Sequence, residues 1–237
     1  EFHRSEWFSA LPGFLRRLPD QRHDGMITEV EQRSFVLPVG IDLTALDLVD
    51  DDDAAVSGRP LVLWNQRWEY DKGPGAFAAA VERLLADGVD FEVAIAGERP
   101  GDAPPELMRL RRLLGDRLVH DGEADVAAYR RLLRRADVVV STAHHEFFGV
   151  ALTEAVAAGA FPVVPDRVVY PERIPPDLHP VCLYRDDDHF VSLLRRAILE
   201  PSVRRRVVDR LRPVVERFDW SEVAPRYDAL IGALAAD

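Results

Sequence analysis

The sequence is poor in cysteine, in lysine and in long apolar runs. Its single cysteine, Cys182, excludes an internal disulfide and a cysteine-rich zinc site, in agreement with a reducing compartment. No run approaches the roughly 18 apolar residues that a membrane-spanning helix needs, and the N-terminus lacks a basic region followed by an apolar stretch. These absences predict a cytoplasmic protein with no membrane span.

Positive charge is also in short supply. The formal net charge is −11, from 41 acidic and 30 basic residues. Nucleic-acid affinity comes mainly from basic patches that release counterions, so a nucleic-acid partner is expected to be held mainly elsewhere. Lys72 is the only lysine, since all other basic residues are arginine. Composition alone leaves open whether it serves a ligand or persists on a solvated turn.

The 237 residues have the composition of a globular protein, with 47% hydrophobic and 30% charged residues. From residue 60 onward, short β-rich runs alternate with helical patterns, which predicts an α/β fold with a Rossmann-like parallel sheet flanked by helices. The predicted strands are Leu61 to Trp64, Phe91 to Ala96, Arg117 to His120, Asp137 to Ser141, Phe161 to Val164 and Val181 to Tyr184. The predicted helices are Gly75 to Ala86, Pro105 to Leu114, Val126 to Arg135, Val150 to Ala158, His189 to Leu199, Val203 to Phe218 and Ser221 to Ala235, the last with Ser221 as its N-cap.

Three regions are expected along the chain. Residues 1–40 contain an aromatic-bearing helical pattern over 2–18 and an extended run over 33–39, typical of the tail of a preceding domain and an interdomain linker. Residues 41–59 form an acidic loop, whose carboxylates are more simply solvated than metal-binding because nothing positions them. Residues 60–237 comprise the Rossmann-like domain and its C-terminal helices.

Two cations follow the first predicted strand. Arg67 and Lys72 lie in the loop that leaves its carboxyl end, where open α/β sheets bind ligands. An arginine fork and a compact ammonium group can converge on a pyrophosphate. Taken alone, the pair is a weak signal, because two cations at this spacing are more often found on an ordinary surface turn.

A second cluster follows the fourth predicted strand. Phe148 and Gly149 precede an apolar helix, whose N-terminal amides favour an anion such as a diphosphate. Glu146 lies in the loop before this helix and Glu154 in its first turns, so both can face one ligand. Carboxylates accept sugar hydroxyls strongly, at roughly 1.5 to 3 kcal/mol per hydrogen bond.

Simpler interpretations exist for part of this cluster. Glu154 could be favourable charge near a helix N-terminus, worth roughly 0.3 to 1 kcal/mol. His144 and His145 are better interpreted as loop residues than as a metal site, since a third partner is missing.

The second cluster matches the E-x-F-G-x-x-x-x-E pattern of retaining GT-B glycosyltransferases of family 4, and Arg67 and Lys72 match that family's paired phosphate-binding cations. The resemblance covers about the last three quarters of the chain. Within the family, WNQRWEYDKGP, STAHHEFFGVALTEAV and VVYPERIP are most similar to the tRNA-queuosine α-mannosyltransferase group. The resemblance thus implies the nucleotide-sugar-binding half of a hexosyltransferase.

This resemblance implies GDP-mannose as the donor. Arg67 and Lys72 would bind its diphosphate, Glu154 the ribose and Glu146 the transferred sugar, with Arg67, Lys72 and Glu146 in the catalytic roles. The cradle is completed by amides near three consecutive residues, Phe148, Gly149 and Val150. In the loop VHDGEADVAAY, the base-binding candidates are His120 and Gly122, and for His120 a ligand-free strand end is an equal alternative.

The resemblance also implies front-face transfer with retention, without a metal or other cofactor. The acceptor pocket would belong to an N-terminal domain that the chain lacks, and tRNA would be held through that domain. The chain alone is therefore expected to bind donor and transfer little. Two alternatives stay open: a family 4 transferase for a lipid, glycan or small-molecule acceptor, and a non-catalytic nucleotide-sugar-binding module. A sugar-nucleotide epimerase fits the pattern less well.

Overall fold

The computed structural model describes residues 1–18, 24–46, 58–99 and 101–236. The predicted acidic stretch from Asp47 to Asp53 lies outside these ranges. Within them, no helix combines the length and apolar character needed to cross a membrane.

Six short runs of mostly apolar residues form the strands. They are β1 (Leu61–Trp64), β2 (Glu92–Ala96), β3 (Leu118–Gly122), β4 (Val138–Val140), β5 (Phe161–Pro165) and β6 (Leu183–Tyr184). All pair in parallel in one sheet with the order β3-β2-β1-β4-β5-β6. Every residue of β1, β2, β4 and β5 is buried, because helices cover both faces of such a sheet and its strands are continuously apolar. The predicted Rossmann-like fold is confirmed.

Eleven α-helices surround the sheet or precede it in the described part of the chain. They are α1 (Phe2–Leu15), α2 (Ile27–Gln32), α3 (Pro74–Ala86), α4 (Pro105–Leu114), α5 (Val126–Arg135), α6 (Val150–Ala158), α7 (Tyr170–Arg173), α8 (His179–Cys182), α9 (Asp187–Leu199), α10 (Pro201–Glu216) and α11 (Trp220–Ala236). The predicted bounds of α4, α5 and α6 are confirmed residue by residue. One continuous core joins sheet and helices, with Trp64, Phe77 and Phe161 among its fully buried side chains.

The strand order places a topological switch point between β1 and β4. The chain leaves β1 toward β2 and β3, and then returns to place β4 on the other side of β1. The loops after β1 and β4 therefore diverge from a common crevice at the carboxyl edge of the sheet. Ligands of open α/β sheets bind at such crevices.

Three local predictions need correction. The last strand was expected from Val181, but α8 extends to Cys182 and only Leu183–Tyr184 pair with β5. Arg33 was expected in an extended run, but it is the C-cap of the unpredicted helix α2, with φ −96° and ψ 4°. The N-cap of α11 is Asp219 rather than Ser221, since the Asp219 carboxylate accepts from both the amide and the hydroxyl of Ser221, at 2.9 and 2.6 Å.

Residues 38–41 pack beside the C-terminal helices, where the Tyr227 hydroxyl donates to the main-chain oxygen of Pro38 at 3.1 Å. Ile41 pairs with Asp219 in an isolated parallel bridge, and the ring of Trp220 lies where a side chain on Gly40 would stand. Near the start of the chain, the His3 ring stacks on Phe147 with 4.6 Å between centroids. The helix α1 is thereby brought to the loop that follows β4.

Candidate functional site

The loops after β1 and β4 are bonded to each other at the switch point. The Thr142 hydroxyl donates to the main-chain oxygen of Lys72 at 2.7 Å and accepts from Nε1 of Trp64 at 3.1 Å. The amide of His144 donates to the main-chain oxygen of Asp71 at 2.7 Å. Residues that are 70 positions apart in the sequence thus share one fixed surface.

A glycine allows this close approach. Gly73 has φ +64° and ψ +46°, a left-handed conformation that suits glycine, and it is the N-cap of α3. A Cβ at this position would lie 2.4 Å from the main-chain oxygen of Thr142. Gly73 therefore sets both the direction of α3 and the distance between the loops.

The closure of the two loops brings Lys72 to Glu146. The Lys72 Nζ lies 3.6 Å from Oε2 of Glu146 and donates to the main-chain oxygen of His145 at 2.8 Å. It also lies 3.3 Å from the Asp71 carboxylate. The side chains of Lys72 and Glu146 are 12% and 17% exposed, so water screens their attraction only in part. The ammonium group of the only lysine in the chain is thus held in this crevice.

The other oxygen of Glu146 binds the turn that starts α6. Its Oε1 accepts from the amides of Phe147 and Gly149, at 3.0 and 3.1 Å. Gly149 is the N-cap of α6 and has φ +84°, another conformation that favours glycine. The positive N-terminal end of α6 stabilises the negative charge of the Glu146 carboxylate. Because this carboxylate already accepts from the Gly149 amide, it occupies part of the amide cradle that was predicted for the diphosphate.

Glu154 lies deeper in the crevice and is joined to two other elements. The Tyr129 hydroxyl on α5 donates to its Oε2 at 2.9 Å, and Nδ2 of Asn65, directly after β1, donates to the Tyr129 hydroxyl at 3.1 Å. Burial raises the pKa of Glu154, while the Tyr129 hydrogen bond opposes this effect. The buried Oδ1 of Asn65 has no hydrogen-bond partner among the described residues.

The second predicted cation, Arg67, is placed differently. Its side chain is 56% exposed and its ion pair is with Glu69 at 3.0 Å. The structure therefore brings Lys72, but not Arg67, into contact with the loop after β4.

The predicted base-binding residues contact each other. The His120 ring bonds to the main-chain oxygen of Gly122 at 3.1 Å. Between them, Asp121 lies 2.5 Å from the Arg111 guanidinium, while its buried Oδ1 has no hydrogen-bond partner among the described residues. Arg99 lies over the Trp68 ring, 4.1 Å from its centroid, and 3.8 Å from Asp121.

The family model for glycosyl transferases group 1 matches residues 50–212, which is more than half of the chain. The chain belongs to the group 1 glycosyltransferases. Its fold is that of their C-terminal Rossmann-like domain in the GT-B class.

Two curated relatives show the breadth of this group 1 family. The tRNA-queuosine alpha-mannosyltransferase of Drosophila melanogaster is 28% identical over an alignment that covers 100% of this chain and 64% of the relative. The phosphatidyl-myo-inositol mannosyltransferase of Mycolicibacterium smegmatis is 30% identical, over 83% of this chain and 52% of the relative. The chain thus spans about half to two thirds of the length of these relatives.

Solved structures share the fold at low sequence identity. Sucrose-phosphate synthase from Thermosynechococcus elongatus superposes with a TM-score of 0.70 at 20% identity, over 90% of this chain and 56% of that one. The C-terminal domain of a group 1 glycosyltransferase from Francisella tularensis gives a TM-score of 0.59 at 19% identity, over 75% of this chain and 97% of that one. At these identities the likeness concerns the fold.

Several residues that shape the candidate site were not predicted. Arg173 on α7 donates from Nε to the main-chain oxygen of Phe148 at 2.9 Å, and burial lowers the pKa of its guanidinium. Arg167 donates from Nε to the main-chain oxygen of Ala143 at 3.0 Å. Tyr129, Arg167 and Arg173 belong to other elements than the two loops. Tyr129 ends the quoted segment VHDGEADVAAY and Arg173 lies in VVYPERIP, but neither residue was singled out, and Arg167 lies in no quoted segment.

Across the described ranges, no group of three or more His, Cys, Asp or Glu side chains lies close enough together to hold a metal ion. Cys182 is buried, and burial raises the pKa of its thiol to about 12, which agrees with a core role.

Proposed function

We propose that the chain is the donor-binding half of a retaining glycosyltransferase that transfers mannose from GDP-mannose. The observation that carries the proposal is the Lys72 ammonium group, held 3.6 Å from Glu146 at the mouth of the β1–β4 crevice. A diphosphate leaving group would be stabilised there by an ammonium and by a helix N-terminus, both fixed before the reaction begins. The family membership and the mannosyltransferase names of both curated relatives support this proposal.

The remaining polar groups suit the rest of such a donor. Glu146 would accept hydroxyls of the transferred sugar. Its Oε1 would then leave the amides of Phe147 and Gly149, which would donate to the diphosphate instead. Glu154 would accept ribose hydroxyls, and a hydroxyl could also satisfy the unpaired Oδ1 of Asn65. Arg67 would reach the diphosphate from the open side, after leaving Glu69. The reaction would need no metal or other cofactor.

The base is proposed to be guanine, near the end of β3. A carboxylate oxygen can accept from the ring N–H and amino groups of guanine, and the buried Oδ1 of Asp121 has no hydrogen-bond partner among the described residues. Uracil and adenine do not present two adjacent donors of this kind. His120 and Gly122 would shape the same end of the pocket.

Calorimetry of the chain with GDP, UDP and ADP, and then with GDP-mannose, tests the donor. We expect GDP to bind more tightly than UDP and ADP, and Lys72→Ala to weaken GDP binding by about tenfold, the size of one charged hydrogen bond. Arg83→Gln is the matched control, because this cation is exposed and pairs with Asp188 on α9. If a folded chain bound none of the nucleotides, or if both variants lost equal affinity, the donor site would be misassigned.

The acceptor is proposed to be queuosine in tRNA, held mainly by a domain outside this chain. The name of the fly relative supports this choice, whereas the name of the mycobacterial relative points to a lipid acceptor. A longer natural protein with its N-terminal domain, given GDP-mannose and queuosine-containing tRNA, should incorporate mannose. Lys72→Ala should lower kcat by about 10²–10³-fold with a smaller change in GDP affinity. GDP-mannose hydrolysis without incorporation would point to another acceptor.

A further inference from the structure

A large cavity lies beside the donor crevice and has no part in the proposal above. It has a volume of about 1010 Å³ and opens between α1, residues 34–39, the loop at Phe147 and Phe148, and the junction of α10 with α11. We call it the side cavity. It touches the donor loop at one wall only, through the residues that directly follow Glu146.

Three arginines line the side cavity. Arg173, Arg217 and Arg226 contribute guanidinium groups to its wall, and none of them forms a close ion pair within the described residues. The charges of Glu172 and Glu146 still act on Arg173, where they oppose the lowering of its pKa by burial. Many other arginines of this acidic chain are paired, as Arg204 is with Asp137 at 2.8 Å. Unpaired cations concentrated on one concave wall attract an anion.

Flat aromatic surfaces face the same cavity. Trp7, Phe35 and Phe147 line it and are 52%, 60% and 76% exposed. Of the acidic residues in the wall, Glu172 already accepts from the main-chain nitrogen of Phe2 at 2.6 Å, while Glu1 and Glu6 are exposed to solvent, which screens their charge. The cavity therefore combines guanidinium groups with rings on which a planar group can stack.

We propose that the side cavity binds a short single-stranded RNA segment, with phosphates on the arginines and bases on the exposed rings. Proteins that hold single strands combine a cationic groove with aromatic stacking surfaces in this way. The inference rests on the proposed function, because it places the nucleotides next to an RNA acceptor beside the donor loop. The net charge of −11 excludes a broad basic surface, but not a local group of unpaired arginines.

A phospholipid surface is a poorer match for this arrangement. Arg173 is recessed, with its guanidinium 4.2 Å from the Phe148 ring centroid and 4.9 Å from that of Phe218. A flat bilayer cannot reach into a concave wall, whereas a flexible strand can. The contact of Arg173 with the main-chain oxygen of Phe148 also ties this wall to the start of α6.

The test is a fluorescence-anisotropy titration of the chain with a labelled single-stranded RNA of about eight nucleotides. The test variant is the double substitution Arg217→Gln and Arg226→Gln. The control, Arg205→Gln with Arg206→Gln, removes the same charge from exposed positions of α10 that do not line the side cavity. Trp7→Ala tests stacking separately.

We expect the test variant and Trp7→Ala each to weaken RNA binding by about tenfold, and the control by less than about twofold. Between roughly 50 and 200 mM salt, the slope of log affinity against log salt should become shallower by about 0.7 for each cavity arginine removed. The proposal is overturned if RNA does not bind, if the control loses as much affinity as the test variant, or if only vesicles of phosphatidylcholine and phosphatidylserine bind. GDP binding, measured on the same samples, should equal that of the parent chain. Its absence from every sample would instead reject the donor assignment, while the RNA result would still decide the side cavity.

Discussion

Arg173 and Phe148 are joined twice, by a hydrogen bond of 2.9 Å from Nε to the main-chain oxygen and by a guanidinium 4.2 Å from the ring centroid. Phe148 directly precedes Gly149, the N-cap of α6. The short helix α7 thereby fixes the turn from which α6 begins. Arg173 contacts neither Lys72 nor Glu154 in this structure, but it positions the backbone at the start of α6, which lies between those two side chains.

Replacing Arg173 with methionine should destabilise the chain by about 1–3 kcal/mol, because the main-chain oxygen of Phe148 loses its donor in a partly buried place. The midpoint of thermal unfolding should fall by roughly 2–4 °C per kcal/mol. Arg217→Met is the matched control, since its guanidinium lies 5.0 Å from the Phe218 ring and is exposed. It should change stability by less than about 0.5 kcal/mol. Equal losses in the two variants would show that the hydrogen bond contributes nothing.

Glu154→Gln is expected to stabilise the chain while weakening GDP binding. Burial raises the pKa of Glu154, so ionised Glu154 costs stability at neutral pH, and a neutral amide removes that cost. Replacing a destabilising residue of a functional site typically raises the free energy of unfolding by about 1 kcal/mol. GDP affinity should fall by about tenfold or more, because a neutral acceptor bonds ribose hydroxyls less strongly. Thermal unfolding and calorimetry on one sample measure both effects.

The stability difference should depend on pH with a definite sign. Below the ordinary pKa of a glutamate, near 4.3, the parent carboxyl is protonated in both states and matches the amide. As pH rises through the raised pKa of the folded state, the parent loses stability relative to Glu154→Gln. The gap should therefore open between acidic and neutral pH and then stay constant. A gap that does not change with pH would contradict the assignment.

Much of the fold could be predicted because it follows from local patterns. Most strands are rich in apolar residues, and glycine, proline or aspartate lies at one or both ends of α4, α5 and α6, so these three helices were predicted without error. The end at Cys182 was missed because Val181, Cys182 and Leu183 are all apolar and fit helix and strand equally well. Asp219 was missed as a cap because Asp219 and Ser221, which are separated only by Trp220, are both residue types that cap helices.

The candidate site, like the fold, could be predicted only where it follows from local patterns. Lys72 and Glu146 lie in loops at adjacent strand ends, so strand order alone predicts their proximity. Arg67 lies in the same loop as Lys72, but the direction of its side chain is set by its ion pair with Glu69. The spacing of residues in the sequence does not reveal which carboxylate an arginine will pair with. Tyr129 was missed because its hydroxyl meets Glu154 only through the packing of α5 against α6, and nothing in the helical pattern of α5 marks it.

Gly73→Ala should lower the free energy of unfolding more than Gly88→Ala. Gly88 has a similar φ of +75°, and a Cβ there meets nothing within 4 Å, so Gly88→Ala should cost about 1–2 kcal/mol from backbone strain alone. A Cβ on Gly73 would lie 2.4 Å from the main-chain oxygen of Thr142, which should add about 1–3 kcal/mol as the two loops move apart. Urea unfolding compares the two variants. We also expect GDP affinity to fall only for Gly73→Ala, and equal unfolding midpoints would argue against close contact of the loops.

Thr142→Val tests the hydrogen bonds that hold the two loops together. Valine keeps the shape of threonine but leaves Nε1 of Trp64 without an acceptor and the main-chain oxygen of Lys72 without this donor, at a cost of about 1–3 kcal/mol for each group. Thr153→Val is the control. The Thr153 hydroxyl donates to the main-chain oxygen of Gly149 at 2.9 Å, but that oxygen also accepts from the Thr153 amide at 2.9 Å, so it stays bonded and the cost should stay below about 1 kcal/mol. Loss of the Trp64 hydrogen bond should also change the indole fluorescence of Thr142→Val alone. If Thr153→Val proved the more destabilising of the two, the loops would be held together by packing rather than by Thr142.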